Sequence, residues 1–191
     1  MQDARRSEAI AKLSDELYRS PDSLVVGNKQ GDVTVVAFLD YNSPNCRRDA
    51  LDLAKLLAND GNVRLVVKEL PVLGRNSEDV AKVALAAAKQ GRYRELHDAL
   101  FAAKGHLNKG KALDLAARIG LDRTRLEKDS RDRMIAKTLA TNKRTAAKLG
   151  VKGVPYYLVG DLVLDEGPDV LYSALTENVA DIRENGCQAK C

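Results

Sequence analysis

Residues 33–46 read Val33-Thr34-Val35-Val36-Ala37-Phe38-Leu39-Asp40-Tyr41-Asn42-Ser43-Pro44-Asn45-Cys46. The segment Val33–Leu39 is an almost unbroken apolar and β-branched run, the pattern of a strand covered on both faces. Asp40–Asn42 ends it. Ser43 is a good helix N-cap, and Pro44 falls at the first helical position, where a missing N–H costs nothing. Leu51, Leu53, Ala54 and Leu57 of the following helix are expected to face the core, and Val63–Val67 reads as a second buried strand. Two strands joined through one helix make a β-α-β unit, which should be parallel and right-handed.

Upstream, Ala4–Tyr18 is expected to be helical, with Ile10, Leu13 and Leu17 on one face and Pro21 closing it. Leu24–Val26 reads as a short strand and Asn28–Gly31 as a turn. Downstream comes a helical block. One helix starts from Asn76 or Ser77 and runs to Lys89, and others span Tyr93–Lys104 and Lys109–Ile119. A short one starts at Asp122, and a long one, Arg133–Leu149, stops at Gly150. Pro155–Val159, a Gly160-Asp161 turn and Leu162–Leu164 form a hairpin, and a last helix spans Asp169–Glu184. The order is β-α-β, a helical stretch of roughly 60–70 residues, then α-β-β-α. It divides into an N-terminal helix (1–22), a first half with its helix-capping turn (23–74), the helical insertion and return helix (75–149), a second half (150–186) and a cysteine-containing tail (187–191).

Hydrophobic residues make up 45% and charged residues 30%, which is the balance of a soluble globular chain. The longest apolar run, Val83–Ala88, is too short to span a bilayer. The net charge of +4 is interspersed along the helices without a basic stripe, so no nucleic-acid partner is expected. His97 and His106, nine apart, have no ligand-type residues at metal spacing and are expected at the surface or an edge. No metal and no cofactor are expected. No apolar stretch follows Met1–Arg6, so no signal peptide is read here; a cytosolic protein and a processed exported one both fit.

The segment Phe38–Arg48 (Phe-Leu-Asp-Tyr-Asn-Ser-Pro-Asn-Cys-Arg-Arg) resembles the active-site segment of the DsbA family of thiol:disulfide oxidoreductases and isomerases. Members near the copper-sensitivity subgroup read Phe-Phe-Asp-Tyr-Asn-Cys-Pro-Tyr-Cys-Arg-Arg there. Val67–Gly74 resembles that family's second strand and following loop. Gly150–Asp161 resembles its cis-proline loop, with Pro155 at the proline. The resemblance implies an α/β thioredoxin fold with an inserted all-helical domain. It implies a periplasmic location, exported cysteine-containing client proteins, a membrane redox partner, and a homo-oligomer joined through the N-terminal helix; the alternative for the Ile10–Leu13–Leu17 face is packing on its own domain. Ser43 and Cys46 fall at the catalytic positions, with Pro44, Asn45 and Arg47 on the active-site helix. Val154, Pro155 and Tyr156 fall at the substrate-binding loop.

A cysteine at a helix N-terminus is favoured as a thiolate by the partial positive charge there. The second cysteine of the pair, one turn in, resolves the mixed disulfide. This chain departs from that pattern, because Ser43 stands at the first cysteine position and a hydroxyl forms no disulfide. Ala37 stands where relatives often carry a buried acid, and Val154 where they often carry threonine. The Ser43 change alone fits a trapping variant; all three together fit a natural, redox-degenerate member. Cys46 is then either an inert buried thiol or a reactive one whose thiolate Arg47 and Arg48 favour. Ser43 is either a cap or a functional hydroxyl. The spacing of Cys187 and Cys191 allows a local disulfide, and the sharper alternative is an electron relay to partners. Lys68 and Glu69 are read as a salt bridge or as solvated charges.

Three functions remain distinct. The first is a disulfide oxidoreductase or isomerase acting on exported proteins, impaired to single-thiol chemistry. The second is a redox-inactive peptide-binding module that keeps the groove beside Pro155. The third is a glutathione-binding enzyme similar to kappa-class transferases, in which the Ser43 hydroxyl would hold the glutathione thiolate.

Overall fold

The computed structural model describes residues 2–164, 171–189 and 191, with side chains from residue 5 onward. Helix α1 (Gln2–Lys12) is followed by a π-helical turn, Asp15–Arg19, and strand β1 (Leu24–Gly27). Then come β2 (Val33–Leu39), α2 (Pro44–Asn59) and β3 (Val63–Glu69). The helical insertion consists of α3 (Arg75–Ala87), α4 (Tyr93–Ala102), α5 (Lys109–Arg118), α6 (Arg123–Asp129) and α7 (Arg133–Lys148). The chain returns as β4 (Tyr156–Val159), β5 (Leu162–Leu164) and α8 (Leu171–Asn185). The start expected for the last helix, Asp169, lies outside the described residues.

The five strands lie in the order β1-β3-β2-β4-β5. β2 and β3 are parallel, with Ala37 opposite Val67, and every other pair is antiparallel. All seven residues of β2 are buried, because this central strand is covered on both faces. Its Val35, Ala37 and Leu39 face one apolar cluster with Leu53, Leu56 and the insertion helices. Val36 and Phe38 face a second cluster with Ile10, Leu13, Leu17 and Ala146. Each large side chain so buried contributes about 1.5–3 kcal/mol. The Ile10–Leu13–Leu17 face is therefore covered by its own chain, and Tyr18 fixes it further by donating to the Gly160 carbonyl at 2.9 Å.

Four local readings are corrected. Leu51 and Ala54 of α2, read as core-facing, are exposed, and Leu56 joins Leu53 in the core instead. The N-terminal helix ends at Lys12, and the chain passes into a π turn. α3 begins at Arg75 after Gly74, whose φ of 94° suits glycine, without a side-chain cap from Asn76 or Ser77. Lys68 and Glu69 are both buried and do not pair with each other. Lys68 Nζ donates to the Glu16 carbonyl at 2.6 Å and to Ser23 Oγ at 3.0 Å, tying the N-terminal segment to β3.

Candidate functional site at the Ser43–Cys46 turn

The turn after β2 is held from below by Asp40. Its Oδ1 accepts the Asn42 N–H at 2.9 Å, and its Oδ2 accepts the Val72 and Leu73 N–H groups at 3.0 and 3.1 Å. Ser43 caps α2: its Oγ accepts the Cys46 N–H at 3.3 Å, and Pro44 fills the first helical position. Ser43 and Cys46 are both buried. Burial pushes the Cys46 thiol up to about 11, against the pull of the Asp40 backbone and the Ser43 hydroxyl; the Asp40 and Asp49 charges push the same way as burial.

The expected help from the arginines is absent, because both are engaged elsewhere. Arg47 Nε donates to the Tyr41 carbonyl at 2.8 Å, and its Nη1 to the Ala103 carbonyl, so it ties α2 to the insertion. Arg48 donates to Asp49 Oδ1 from Nε at 3.1 Å and from Nη2 at 3.0 Å.

Asp49 went unread in the sequence. It is buried one turn after Cys46, and Tyr157 of β4 donates to its Oδ2 at 3.0 Å. A buried carboxylate thus stands on α2, whereas position 37, where relatives often carry an acid, is alanine. A second polar cluster was missed too. Tyr41 and Tyr93 both donate to Glu69 Oε1, at 2.6 and 2.7 Å, and the Tyr41 hydroxyl lies 2.9 Å from His97 Nδ1. His97 is buried, not at an edge as its isolation in the sequence suggested, while His106 is exposed. Burial raises Glu69 to about 7 and lowers His97 to about 3. The one available signal was the spacing of Tyr93, His97 and Phe101 along one face of α4.

The Val154–Pro155 peptide is cis. Val154, Pro155 and Tyr156 line a cleft of about 550 Å³ together with Asn45 and Arg48. Pro44 and Asn45 open α2 beside it. Cys187 and Cys191 are joined as a disulfide at the tail, and Cys46 is the free cysteine.

A sheet in this order, a capped helix after its central strand and a cis-proline loop lining the cleft define a thioredoxin fold. Residues 34–176 match the model of the DSBA-like thioredoxin domain, and the chain belongs to that family. A thioredoxin-like oxidoreductase from Silicibacter pomeroyi DSS-3 superposes with a TM-score of 0.85 at 39% identity, over 89% of this chain and 97% of its own. The catalytic domain of Proteus mirabilis ScsC superposes with a TM-score of 0.80 at 28% identity, over 91% and 98% respectively. Among curated proteins, the Na(+)/H(+) antiporter NhaA 1 of Salinispora arenicola is 31% identical over 164 residues, 82% of this chain. The chain spans 25% of that relative's length.

Proposed function

We propose that this chain is a client-binding member of the disulfide-handling family. It holds extended, cysteine-containing segments of exported proteins in the cleft beside Pro155 without dithiol turnover. The observation that carries this reading is the pairing of a buried Cys46, whose thiol burial pushes up to about 11, with a Ser43 whose oxygen serves as the helix cap. Dithiol turnover needs an accessible thiolate and a second sulfur at the same turn to release the mixed disulfide. Neither is present at this turn. The cleft remains, and edge-on backbone pairing with a client strand needs no sulfur. The burial of Ser43 also favours the cap over a hydroxyl poised for glutathione. A compartment outside the cytosol is supported by the Cys187–Cys191 disulfide, since such bonds persist where the surroundings are oxidising.

The test is binding of a labelled, unfolded, reduced-and-alkylated client protein, followed by fluorescence anisotropy. Cys46→Ala should bind as the parent does, and Asn45→Trp, which fills the cleft from its exposed rim, should weaken binding at least tenfold. Ser43→Cys should gain disulfide reductase activity that the parent lacks. With a second client whose disulfide is left intact, capture that is lost in Cys46→Ala would instead assign the function to single-thiol chemistry.

A further inference from the structure

The tail folds back onto the β4–β5 turn. Asp161 of that turn accepts the Gln188 and Ala189 N–H groups through Oδ2, at 2.9 and 3.0 Å. Its carboxylate is thereby held beside both tail cysteines. One ligand-type atom from each of Asp161, Cys187 and Cys191 lies within 4.8 Å of the other two, and all three residues are half-buried. Cys187 and Ala189 pack on the second apolar cluster, so this loop is anchored to the core. None of these residues lines the cleft beside Pro155.

We propose that reduction of the Cys187–Cys191 disulfide opens a three-ligand site for a thiophilic divalent cation of the zinc class, bound by the two thiolates and the Asp161 carboxylate. A dithiol reductant supplies two electrons and two protons. The protein's S–S bond breaks into two thiols while the reductant's sulfurs join. Cation binding then releases both thiol protons to solvent, because the ligand is the thiolate.

Two sulfurs and one carboxylate oxygen suit a tetrahedral d10 cation with its fourth position left to water or a partner group. Backbone donors already orient the set: the Cys191 N–H points to Cys187 Sγ at 3.3 Å, and two N–H groups fix Asp161. In the disulfide state the sulfurs are not thiolates, so the cation is excluded and the site reports the redox state of its surroundings. A search of the sequence for histidine spacing passes over it, because no histidine takes part.

The test uses the full chain carrying Cys46→Ala, which leaves the tail thiols alone. Protein reduced with a dithiol and desalted without oxygen is titrated with Cd²⁺, and the sulfur-to-cadmium absorbance is followed in the ultraviolet. One equivalent should bind to reduced protein and none to oxidised protein, and Zn²⁺ should displace it. Cys187→Ser should abolish the band, and Asp161→Asn should weaken binding by about tenfold or more. Alkylation of the reduced tail, which needs no variant to fold, should abolish it as well. The proposal is overturned if reduced protein gives no band, if oxidised protein gives the same band, or if Asp161→Asn leaves affinity unchanged.

Discussion

Asn42 and Leu107 exchange two hydrogen bonds: Asn42 Nδ2 donates to the Leu107 carbonyl at 3.0 Å, and the Leu107 N–H donates to Asn42 Oδ1 at 2.8 Å. The residue just before the helix cap is thus locked to the loop between α4 and α5. Arg47 reinforces the link from α2 through the Ala103 carbonyl. The helical insertion thereby fixes the position of the Ser43–Cys46 turn.

Removing the first link should therefore loosen both partners. Asn42→Ala leaves the Leu107 amide groups without their partner and should cost about 2–3 kcal/mol in urea unfolding. Amide exchange over residues 103–108 should speed up together with exchange at the start of α2. Unchanged exchange in either segment would show that the two are not coupled through Asn42.

The Tyr41–Glu69–His97 cluster sets a pH dependence with two opposing parts. Glu69 is raised by burial from an ordinary 4.5 to about 7, so it binds its proton more tightly in the folded chain. Its contribution is complete below about pH 4.5 and is lost as pH rises through about 7, a change on the order of 3 kcal/mol. His97 is lowered by burial from 6.5 to about 3, so its contribution is present above about pH 6.5 and is lost as pH falls toward 3. Urea midpoints measured across this range should show Glu69→Gln gaining on the parent as pH rises from 4.5 to 7. His97→Gln should gain on the parent as pH falls from 6.5. Parallel curves for Glu69→Gln and the parent would show that the buried carboxyl does not titrate in this window.

Ser43→Ala isolates the cap from any chemistry. It removes the acceptor of the Cys46 N–H, and loss of such a cap costs about 1 kcal/mol. A thermal or urea midpoint reads this directly. A variant as stable as the parent would mean that the hydroxyl is not needed to start α2, and would return Ser43 to the functional alternatives.

At the opposite end of α2, Arg183 of α8 bridges two carboxylates. It donates to Asp32 from Nε at 2.9 Å and from Nη2 at 2.8 Å, and to Asp60, the C-cap of α2, from Nη1 at 2.7 Å. The guanidinium holds both carboxyls below their usual range, so its stabilisation is present above about pH 4 and is lost as pH falls further. The Asp32 side chain is 52% exposed, so Arg183→Ala should cost only about 1 kcal/mol, and less as salt is added. A loss independent of salt would point to packing of the arginine stem instead.

The parts of this fold legible in the sequence are those whose signal is local. Val33–Leu39 announces a doubly covered strand by composition, Ser43-Pro44 announces a helix start, and Gly160-Asp161 announces the hairpin. The parts that were not legible depend on partners far along the chain. Asp49 reads as an ordinary surface acid on α2 until Tyr157, 108 residues later, is placed over it. His97 has no metal-ligand spacing, and only the folded chain brings Tyr41 and Glu69 to it from the ends of two parallel strands. Lys68 looks solvated until the N-terminal segment covers it with the Glu16 carbonyl.

Cys46 separates the binding reading from residual thiol chemistry most directly. Burial raises its thiol from an ordinary 9 to about 11. At neutral pH its thiolate fraction is then about 100-fold below that of an unperturbed cysteine. Shielding by the fold lowers access further. Native-state maleimide labelling, mapped by peptide mass, should therefore modify Cys46 slowly, with a rate that climbs through pH 9 without levelling. Cys187 and Cys191 should label only after reduction. In reduced Ser43→Cys the new thiol, at the electropositive start of α2, should label faster than Cys46 in the same molecule. Rapid labelling of Cys46 with a plateau near pH 9 would mean that the thiol is open and ionises normally, and single-thiol exchange with clients would then displace the groove as the leading account.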